Sequence, residues 1–341
     1  MTHRDRPRPS TAAVVVALLI VYVVWGSTYL AMAVMIETMP PLLAAGARYG
    51  TAGAIMLGAL AAHARWRRGS PGPGPTERPT RAQWRSALIV GGLLLLGGNG
   101  GVVLAELFIP SGIAAVLVAT VPIWLAVLDA LLTRRRPSGL VLGGLAAGIV
   151  GVAVLLVPVE GLDGLDPLGV GLVVVAALSW AGGSIYARHA SLPRSGLLGT
   201  GMEMLAGGAC LLVGGALIGE VGRTDLGAFS TSSLLAWAYL VVFGSIVAFT
   251  AYTWLLHRVP VSIVGTYAYV NPIVAVALGA LILSEPITLR TAVAAAIIIG
   301  AVVAMVSGRP RETEEPGPGP EVAPLEPEDA DGTDPASALR A

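Results

Sequence analysis

The pentapeptide WGSTY at residues 25–29 returns later in the chain as WAGGSIY at residues 180–186. A second segment, GARYG at residues 46–50, returns as GMEML at residues 201–205, and in both cases the copies are 155 positions apart. Two matched segments at one constant spacing indicate an internal duplication. The chain is therefore predicted to contain two copies of one structural unit.

The composition indicates the environment of these units. Of 341 residues, 55% are hydrophobic and 12% are charged, whereas soluble domains carry about 25% charged residues. About 20 apolar residues cross a bilayer as a helix. Because the apolar stretches are continuous, they do not fit the alternating strands of an outer-membrane barrel. Ten stretches are predicted to span, at residues 12–31, 41–62, 86–106, 112–132, 139–158, 168–187, 196–218, 234–256, 262–283 and 287–307.

Each predicted unit contains five spans, and an odd number forces the second unit to enter the bilayer from the opposite face. Pro110 and Pro122 recur as Pro260 and Pro272, 150 positions later, so a short deletion accounts for the changed spacing. The expected fold class is an all-α integral membrane protein with ten transmembrane helices as two inverted five-helix repeats, typical of secondary transporters. The expected boundaries are an N-terminal tail at 1–11, repeats at 12–158 and 168–307, and a C-terminal tail at 308–341.

The N-terminal stretch has two interpretations. Three arginines precede an apolar run that ends near residue 33, which resembles a cleavable signal peptide. The run is longer than the usual 7 to 15 residues of a signal core, and Trp25 has a repeat partner at Trp180, so we predict a permanent first span. The Pro/Gly connector at 69–80 and the acidic, Pro-rich tail from Arg309 are predicted to lack regular structure.

Arginine determines the expected orientation, because the chain contains no lysine. With the N-terminus inside, 18 arginines fall in cytoplasmic tails and loops, two (Arg223 and Arg290) fall outside, and Arg48 lies within a span. Such a bias follows the positive-inside rule. Both termini are therefore predicted to be cytoplasmic, and the protein is expected in the cell membrane as a monomer or homodimer.

The missing lysine also excludes several kinds of chemistry. A phosphate-binding loop needs a lysine to reach nucleotide phosphates, and a retinal or pyridoxal Schiff base needs a lysine amine. The four histidines lie far apart in the sequence without thiolate partners, and Cys210 is the only cysteine. We expect no metal, no cofactor, no catalytic residue, no nucleic-acid partner and no intramolecular disulfide.

Two ionisable residues occupy equivalent positions inside predicted spans, Arg48 in the second and Glu203 in the seventh. A charged side chain in the bilayer interior is costly unless it faces protein or a water-filled cavity. In one interpretation, Arg48 binds an anionic group of a substrate while Glu203 binds a cationic group or a proton. In the other, they form a structural ion pair or separate buried hydrogen bonds.

Aromatic and amide residues form the second group of candidates. Rings can stack on a solute or a cation, although Trp and Tyr near helix ends also serve as interfacial anchors. Pro272 is expected to remove a helical hydrogen bond and free a carbonyl in the ninth span, and Pro122 to do the same in the fourth. Asp129 and Glu106 are weaker candidates near span ends. The predicted cavity-lining residues are Trp25, Trp180, Asn99, Tyr267, Tyr269 and Asn271.

Four segments resemble the EamA-type transporters of the drug/metabolite transporter superfamily. They are WGSTYL at 25–30, PPLLAAGARY at 40–49, the A-x-V-P-I-x-x-A pattern at 119–126 and YVNPIVA at 269–275. The resemblance extends over about residues 12–307. It implies export of a small organic solute, namely a metabolite, an amino acid or a drug-like compound. Family members often carry Gly-Glu after the fourth span, where this chain has three arginines, so Glu285 is left as the only such carboxylate.

Two other classes of function are alternatives. A membrane-embedded enzyme would need paired carboxylates, a nucleophile with its base, or a metal cluster, and none appears at usable spacing. A passive channel would carry rings of like charge or a filter sequence, and the sequence has neither. The sequence therefore favours a secondary transporter in the lipid bilayer that binds a small-molecule substrate and works by alternating access.

Overall fold

The computed structural model describes residues 10–67, 78–109, 114, 117–134, 137–156, 166–283 and 289–307. All regular structure in these ranges is helical. Single helical turns occur at Glu220–Arg223, Leu226–Ala228 and Val261–Val264. The segment with Glu285, the predicted C-terminal tail and most of the predicted 69–80 connector and N-terminal tail fall outside the described residues. In chain order the main helices are α1 (Thr11–Ile36), α2 (Pro41–Arg67), α3 (Arg81–Ala105), α4 (Val121–Thr133), α5 (Gly139–Leu156), α6 (Pro167–His189), α7 (Gly196–Leu217), α8 (Thr231–Leu256), α9 (Tyr267–Leu283) and α10 (Leu289–Ser307).

Five of these helices, α1, α3, α6, α7 and α8, are long and apolar enough to cross a membrane. Shorter apolar helices coincide with parts of α4, α5, α9 and α10. Large apolar side chains such as Val175 and Ile299 are more than half exposed on the outside of the protein. Such a surface suits lipid rather than water. The chain is therefore an all-α membrane protein, as the composition predicted.

Polar residues begin several of the helices. The side chains of Ser10, Thr80, Ser195 and Ser230 each accept a hydrogen bond from the backbone N–H three residues later, which satisfies one of the unpaired donors at a helix start. Thr80 and Gln83 form a complete capping box. These caps explain why the helices start where the apolar runs begin.

The start of α2 is capped by a residue from a distant part of the chain. The buried carboxylate of Glu220, in the turn after α7, accepts hydrogen bonds from the backbone N–H groups of Leu42 at 3.1 Å and Leu43 at 2.8 Å. A carboxylate at a helix N-terminus also interacts favourably with the helix dipole. Glu220 therefore joins the end of α7 to the start of α2.

Both α3 and α8 contain a π-helical segment near the middle, at Gly92–Gly100 and Leu240–Phe249. In a π-helix each N–H group bonds to the carbonyl five residues back, and such segments are rare and frequent at functional sites. The sequence predicted only uninterrupted spans at 86–106 and 234–256. The apolar pattern does not distinguish π from α geometry, so these segments could not be predicted.

Helices α2 and α7 pack closely through glycine. A Cβ atom on Gly46 would lie 3.0 Å from the carbonyl oxygen of Gly208, and one on Gly53 would lie 2.8 Å from that of Gly201. Residue numbers rise along one helix as they fall along the other, so α2 and α7 are antiparallel. Small residues permit this close approach of helices in a membrane.

The remaining helices pack in related pairs. α5 and α10 are also antiparallel and in contact, with Gly144 against Ala301 and Gly151 against Ile298. α1 packs on α8 and α9, while α6 packs on α3 and α4. α3 contacts α7, and α8 contacts α2. The result is a central region surrounded by helices from both halves of the chain.

The two proline-containing helices differ from each other. Pro272 lies inside α9, as predicted, and the turn Val261–Val264 precedes that helix. Pro122 lies in the first turn of α4, where a missing N–H breaks no helical hydrogen bond. The prediction that Pro122 frees a carbonyl within a span is therefore wrong, because α4 begins at Val121.

Candidate functional site

The central region contains a cavity surrounded by α1, α2, α3, α4, α6 and α9. The space open to the centres of water-sized molecules is about 80 Å³. One water needs about 10–15 Å³ by this measure, so the cavity is larger than a single-water site. Of the seven residues predicted to bind substrate, six line this cavity, namely Arg48, Trp25, Trp180, Asn99, Tyr267 and Asn271.

Arg48 reaches the cavity from α2 and is held by the π segment of α8. Its Nε donates a hydrogen bond to the Ser245 hydroxyl at 2.8 Å, and its Cζ lies 4.5 Å from the centre of the Tyr49 ring. A Cβ atom on Gly244 would lie 2.8 Å from Arg48 Nη2. Glycine at position 244 is therefore what leaves room for the guanidinium group.

The charge of Arg48 is not compensated in the described part of the chain. The residue is 2% exposed, and its Nη1 atom has no hydrogen-bond partner there. A buried cation without a partner is costly, and arginine does not lose its proton in proteins. The guanidinium group thus needs an acceptor, which the contents of the cavity could supply.

Aromatic rings form one wall of the cavity. The Trp25 ring centre lies 5.6 Å from that of Trp180, 5.0 Å from that of Tyr252 and 5.0 Å from that of Tyr267. The Trp25 indole donates to the Gly244 carbonyl at 3.1 Å, and the Trp180 indole donates to the Tyr252 hydroxyl at 2.8 Å. Because both N–H groups are already bonded, these rings offer the cavity mainly apolar faces.

The side chains of the two amide residues, Asn271 and Asn99, differ in their hydrogen bonding. When the Asn271 amide is oriented by its hydrogen-bond network, its nitrogen donates to the carbonyl oxygens of Tyr267 at 3.0 Å and Tyr22 at 3.2 Å. Asn99 lies in the π segment of α3, and its Oδ1 atom is buried without a partner among the described residues. Asn271 thus holds α9 to α1, while Asn99 retains unused hydrogen-bonding capacity.

Glu203 does not line the cavity with the other six predicted residues. It is 2% exposed and is not among the residues that line the cavity. Its Oε2 atom has no hydrogen-bond partner within the described ranges, and no ion pair joins it to Arg48 there. The ion pair of the second interpretation is therefore not formed, whereas the bond from Arg48 to Ser245 is a separate buried hydrogen bond of the kind that interpretation also allowed. The repeat positions match, but the side chains lie in separate environments.

The other predicted candidates lie outside the cavity lining. The buried Tyr269 donates to the Leu145 carbonyl at 3.3 Å and packs against Gly148, so it joins α9 to α5 instead of lining the cavity as predicted. Glu106 and Asp129, the weaker candidates, are also absent from the cavity wall. Within the described ranges no group of three His, Cys, Asp or Glu residues could hold a metal ion.

Sequence analysis missed three residues that shape the site. Ser245 and Gly244 position the guanidinium group, and Tyr252 bonds to Trp180 and to the Ser184 hydroxyl at 2.6 Å. The sequence contains no signal for Ser245, because Ser and Thr also occur inside other predicted spans, for example at Ser27 and Ser184. It contains none for Gly244 either, because this chain has 44 glycines.

Comparison with known proteins assigns the family. A sequence model of the EamA-like transporter family matches residues 12–157 and 167–307. This chain belongs to the EamA-like transporter family. It is 39% identical over 295 residues to the uncharacterized inner membrane transporter YedA of Escherichia coli (strain K12), covering 86% of this chain and 90% of YedA. Membership makes the protein a transporter of the drug/metabolite type, as the sequence motifs suggested.

Other similar proteins agree with this assignment. The uncharacterized transporter YoaV of Bacillus subtilis (strain 168) is 25% identical over 291 residues, which cover 85% of this chain and 93% of YoaV. A crystal structure matches the fold with a TM-score of 0.69 at 21% sequence identity, covering 86% of this chain and 96% of the other. That structural match shows the fold alone. A transporter of this family implies a small-molecule substrate and a place in the membrane.

Proposed function

We propose that this protein is a secondary transporter that exports a small organic solute with an anionic group, by alternating access around the central cavity. The observation that supports this proposal most strongly is Arg48. It is a buried cation on the cavity wall, and its Nη1 atom lacks a hydrogen-bond partner within the described ranges. A carboxylate or phosphate would supply a charge-assisted hydrogen bond. The solute class is a metabolite, an amino acid or a drug-like compound.

The surroundings of Arg48 support a solute with an apolar part. The faces of Trp25, Trp180 and Tyr267 lie along the same cavity, and ligand sites combine apolar walls with a few placed polar groups. Asn99 and Asn271 add amide groups to that wall. We therefore assign solute binding to these six residues and leave Glu203 out of the solute site.

We infer that all ten helices cross the membrane as two inverted five-helix repeats, at residues 12–158 and 168–307. The family model matches two stretches with nearly these limits. The α2–α7 and α5–α10 pairs are equivalent helices and pack antiparallel, which is expected of an inverted repeat. The contacts Gly46–Gly208 and Gly53–Gly201 are also related by the repeat spacing, because Gly201 lies 155 positions after Gly46 and Gly208 lies 155 positions after Gly53.

The orientation follows from the arginine bias. Eighteen arginines on one side against two on the other indicate cytoplasmic termini by the positive-inside rule, with the tails at 1–11 and 308–341 in the cytoplasm. The relative YedA is described as an inner membrane protein, and we propose the same membrane here. The protein would act as a monomer or homodimer without a cofactor.

The test has two steps. Untargeted comparison of extracellular metabolites from cells with and without the protein identifies the exported solute. Purified protein in vesicles is then assayed for counterflow of that solute and of its neutral amide analogue. For the wild-type protein we expect saturable counterflow of the anion and weak counterflow of the amide. In Arg48→Gln we expect the two solutes to show the same counterflow.

Three results would contradict the proposal. Flux that does not saturate would indicate a passive channel, and chemical conversion of the solute would indicate a membrane-embedded enzyme. Equal counterflow of the anion and its amide by the wild-type protein would remove Arg48 as the anion-binding group.

A further inference from the structure

Glu203 occupies a closed position on α7. A Cβ atom on Gly91 of α3 would lie 2.5 Å from the Glu203 carbonyl oxygen and 2.7 Å from the Gly207 nitrogen. The backbones of α3 and α7 therefore touch at this level, and no side chain fits between them there. The carboxyl group is 2% exposed, and its Oε2 atom has no partner among described residues.

Among the described residues, no charged neighbour compensates Glu203. The elements packed on α7 are α2, α3, the C-terminal part of α8 (Thr250–Leu256) and the turn Glu220–Arg223. Arg48 is bonded to Ser245, and Glu220 to the start of α2. Within the described ranges none of these elements forms an ion pair with Glu203. The titratable or charged groups that they carry include Arg48, Tyr49, His63, Arg81, Arg85, Tyr252, His257 and Glu220.

A buried hydroxyl pair lies one helical turn from Glu203. Thr200 and Thr253 are 3% and 7% exposed, and their Oγ1 atoms are 2.8 Å apart. Thr253 also donates to the Thr250 carbonyl at 3.1 Å, so in this pair Thr200 is the donor and its oxygen keeps acceptor capacity. Residues three apart share one face of a helix, which places Thr200 and Glu203 on the same side of α7.

A histidine lies beyond this hydroxyl pair, at the end of α8. His257 follows α8 one turn after Thr253, and its Nδ1 lies 2.8 Å from the Thr253 carbonyl oxygen. His257 Nε2 lies 3.2 Å from the Ala187 carbonyl oxygen near the end of α6. Thr200 lies near the start of α7, Gly196. Thr200, Thr253 and His257 therefore follow one another from the level of Glu203 toward one end of the helix bundle.

We propose that Glu203 is a proton-binding site separate from the solute cavity, reached through Thr200 and Thr253 from the bundle end that carries His257. An ionised carboxylate without a partner is costly in a membrane interior, and a proton from water at that end removes the charge. The proton returns to water by the same path. This inference goes beyond the proposed function, because it assigns a second ligand to a second site.

Infrared difference spectroscopy of the purified protein in lipid nanodiscs tests this site without any solute. We expect a C=O stretching band of a protonated carboxyl group that responds to pH and is absent in Glu203→Gln. Arg48→Gln should keep the band, since its side chain belongs to the other site. In D₂O, Thr200→Val should slow the deuterium shift of the band, whereas Thr231→Val, at the other end of α8, should leave its rate unchanged.

The outcomes separate the two proposals. A band that persists in Glu203→Gln belongs to another carboxyl group, and its persistence would overturn the proton site, as would the lack of any protonated carboxyl band in the wild-type protein. Loss of the band in Arg48→Gln would show that the two sites are one. None of these results changes the counterflow test for Arg48.

Discussion

Arg48 and Glu203 occupy the same position in the two halves of the chain, yet their surroundings differ. Arg48 lines the cavity and is held by Ser245, whereas Glu203 lies off the cavity beside the backbone contact of α3 and α7. Both are 2% exposed. The comparison shows that two positions that match in the sequence can be equally buried and still face different surroundings.

The largest expected effect is a loss of solute affinity when the cavity residue Arg48 is replaced. Arg48→Gln removes the charge that binds the anion, and loss of one partner of a buried charge pair costs about 2–5 kcal/mol. Solute affinity should fall by a factor of about 30 or more. Binding to the purified protein, measured by calorimetry, checks this. Unchanged affinity would mean that the anion is bound elsewhere.

The difference between Arg48 and Glu203 illustrates what could and could not be predicted from the sequence. Apolar stretches and repeat spacing predicted the helices, and the motif residues Trp25 and Trp180 do line the cavity. The position of Glu203 was misjudged, because the helix periodicity of α7 gives no sign of which neighbour covers each face. The π segments depend on hydrogen-bond geometry, and the start of α4 near Pro122 depends on tertiary packing, so neither appears in an apolar pattern.

Near Glu203, one added methyl group is expected to disrupt the backbone contact between α3 and α7. In Gly91→Ala the added Cβ would lie 2.5 Å from the Glu203 carbonyl oxygen, and the clash is with backbone. Overpacking of this kind typically costs about 1–3 kcal/mol. Thermal unfolding in detergent should show a lower midpoint. The control is Gly92→Ala, since a Cβ there meets nothing within 4 Å; equal midpoints for the two variants would contradict the close contact.

A methyl group at the Arg48 site should change function more than stability. Gly244→Ala places a Cβ 2.8 Å from Arg48 Nη2 and 3.1 Å from Thr28 Cγ2, so the guanidinium group must move. We expect counterflow to fall by roughly tenfold, as for a misplacement worth about 1.4 kcal/mol. Gly182→Ala in α6 is the matched control, because a Cβ there is unobstructed. Normal counterflow by Gly244→Ala would argue against a fixed guanidinium position.

The smallest effect on function should come from the cap that joins α7 to α2, beyond both sites. Glu220→Gln leaves one amide oxygen for two backbone donors, and an unsatisfied buried donor costs about 1–3 kcal/mol. Chemical unfolding should show reduced stability while solute affinity is kept. Asp225→Asn, at an exposed turn nearby, should be neutral. A wild-type unfolding curve for Glu220→Gln would remove the proposed cap.

The most direct test of the central claim is a structure of the protein with its exported solute bound. The account predicts the anionic group of the solute within hydrogen-bond distance of Arg48 Nη1, the apolar part against Trp25 and Tyr267, and no solute contact at Glu203. Solute bound at Glu203, or in the cavity with its anionic group turned away from Arg48, would contradict it.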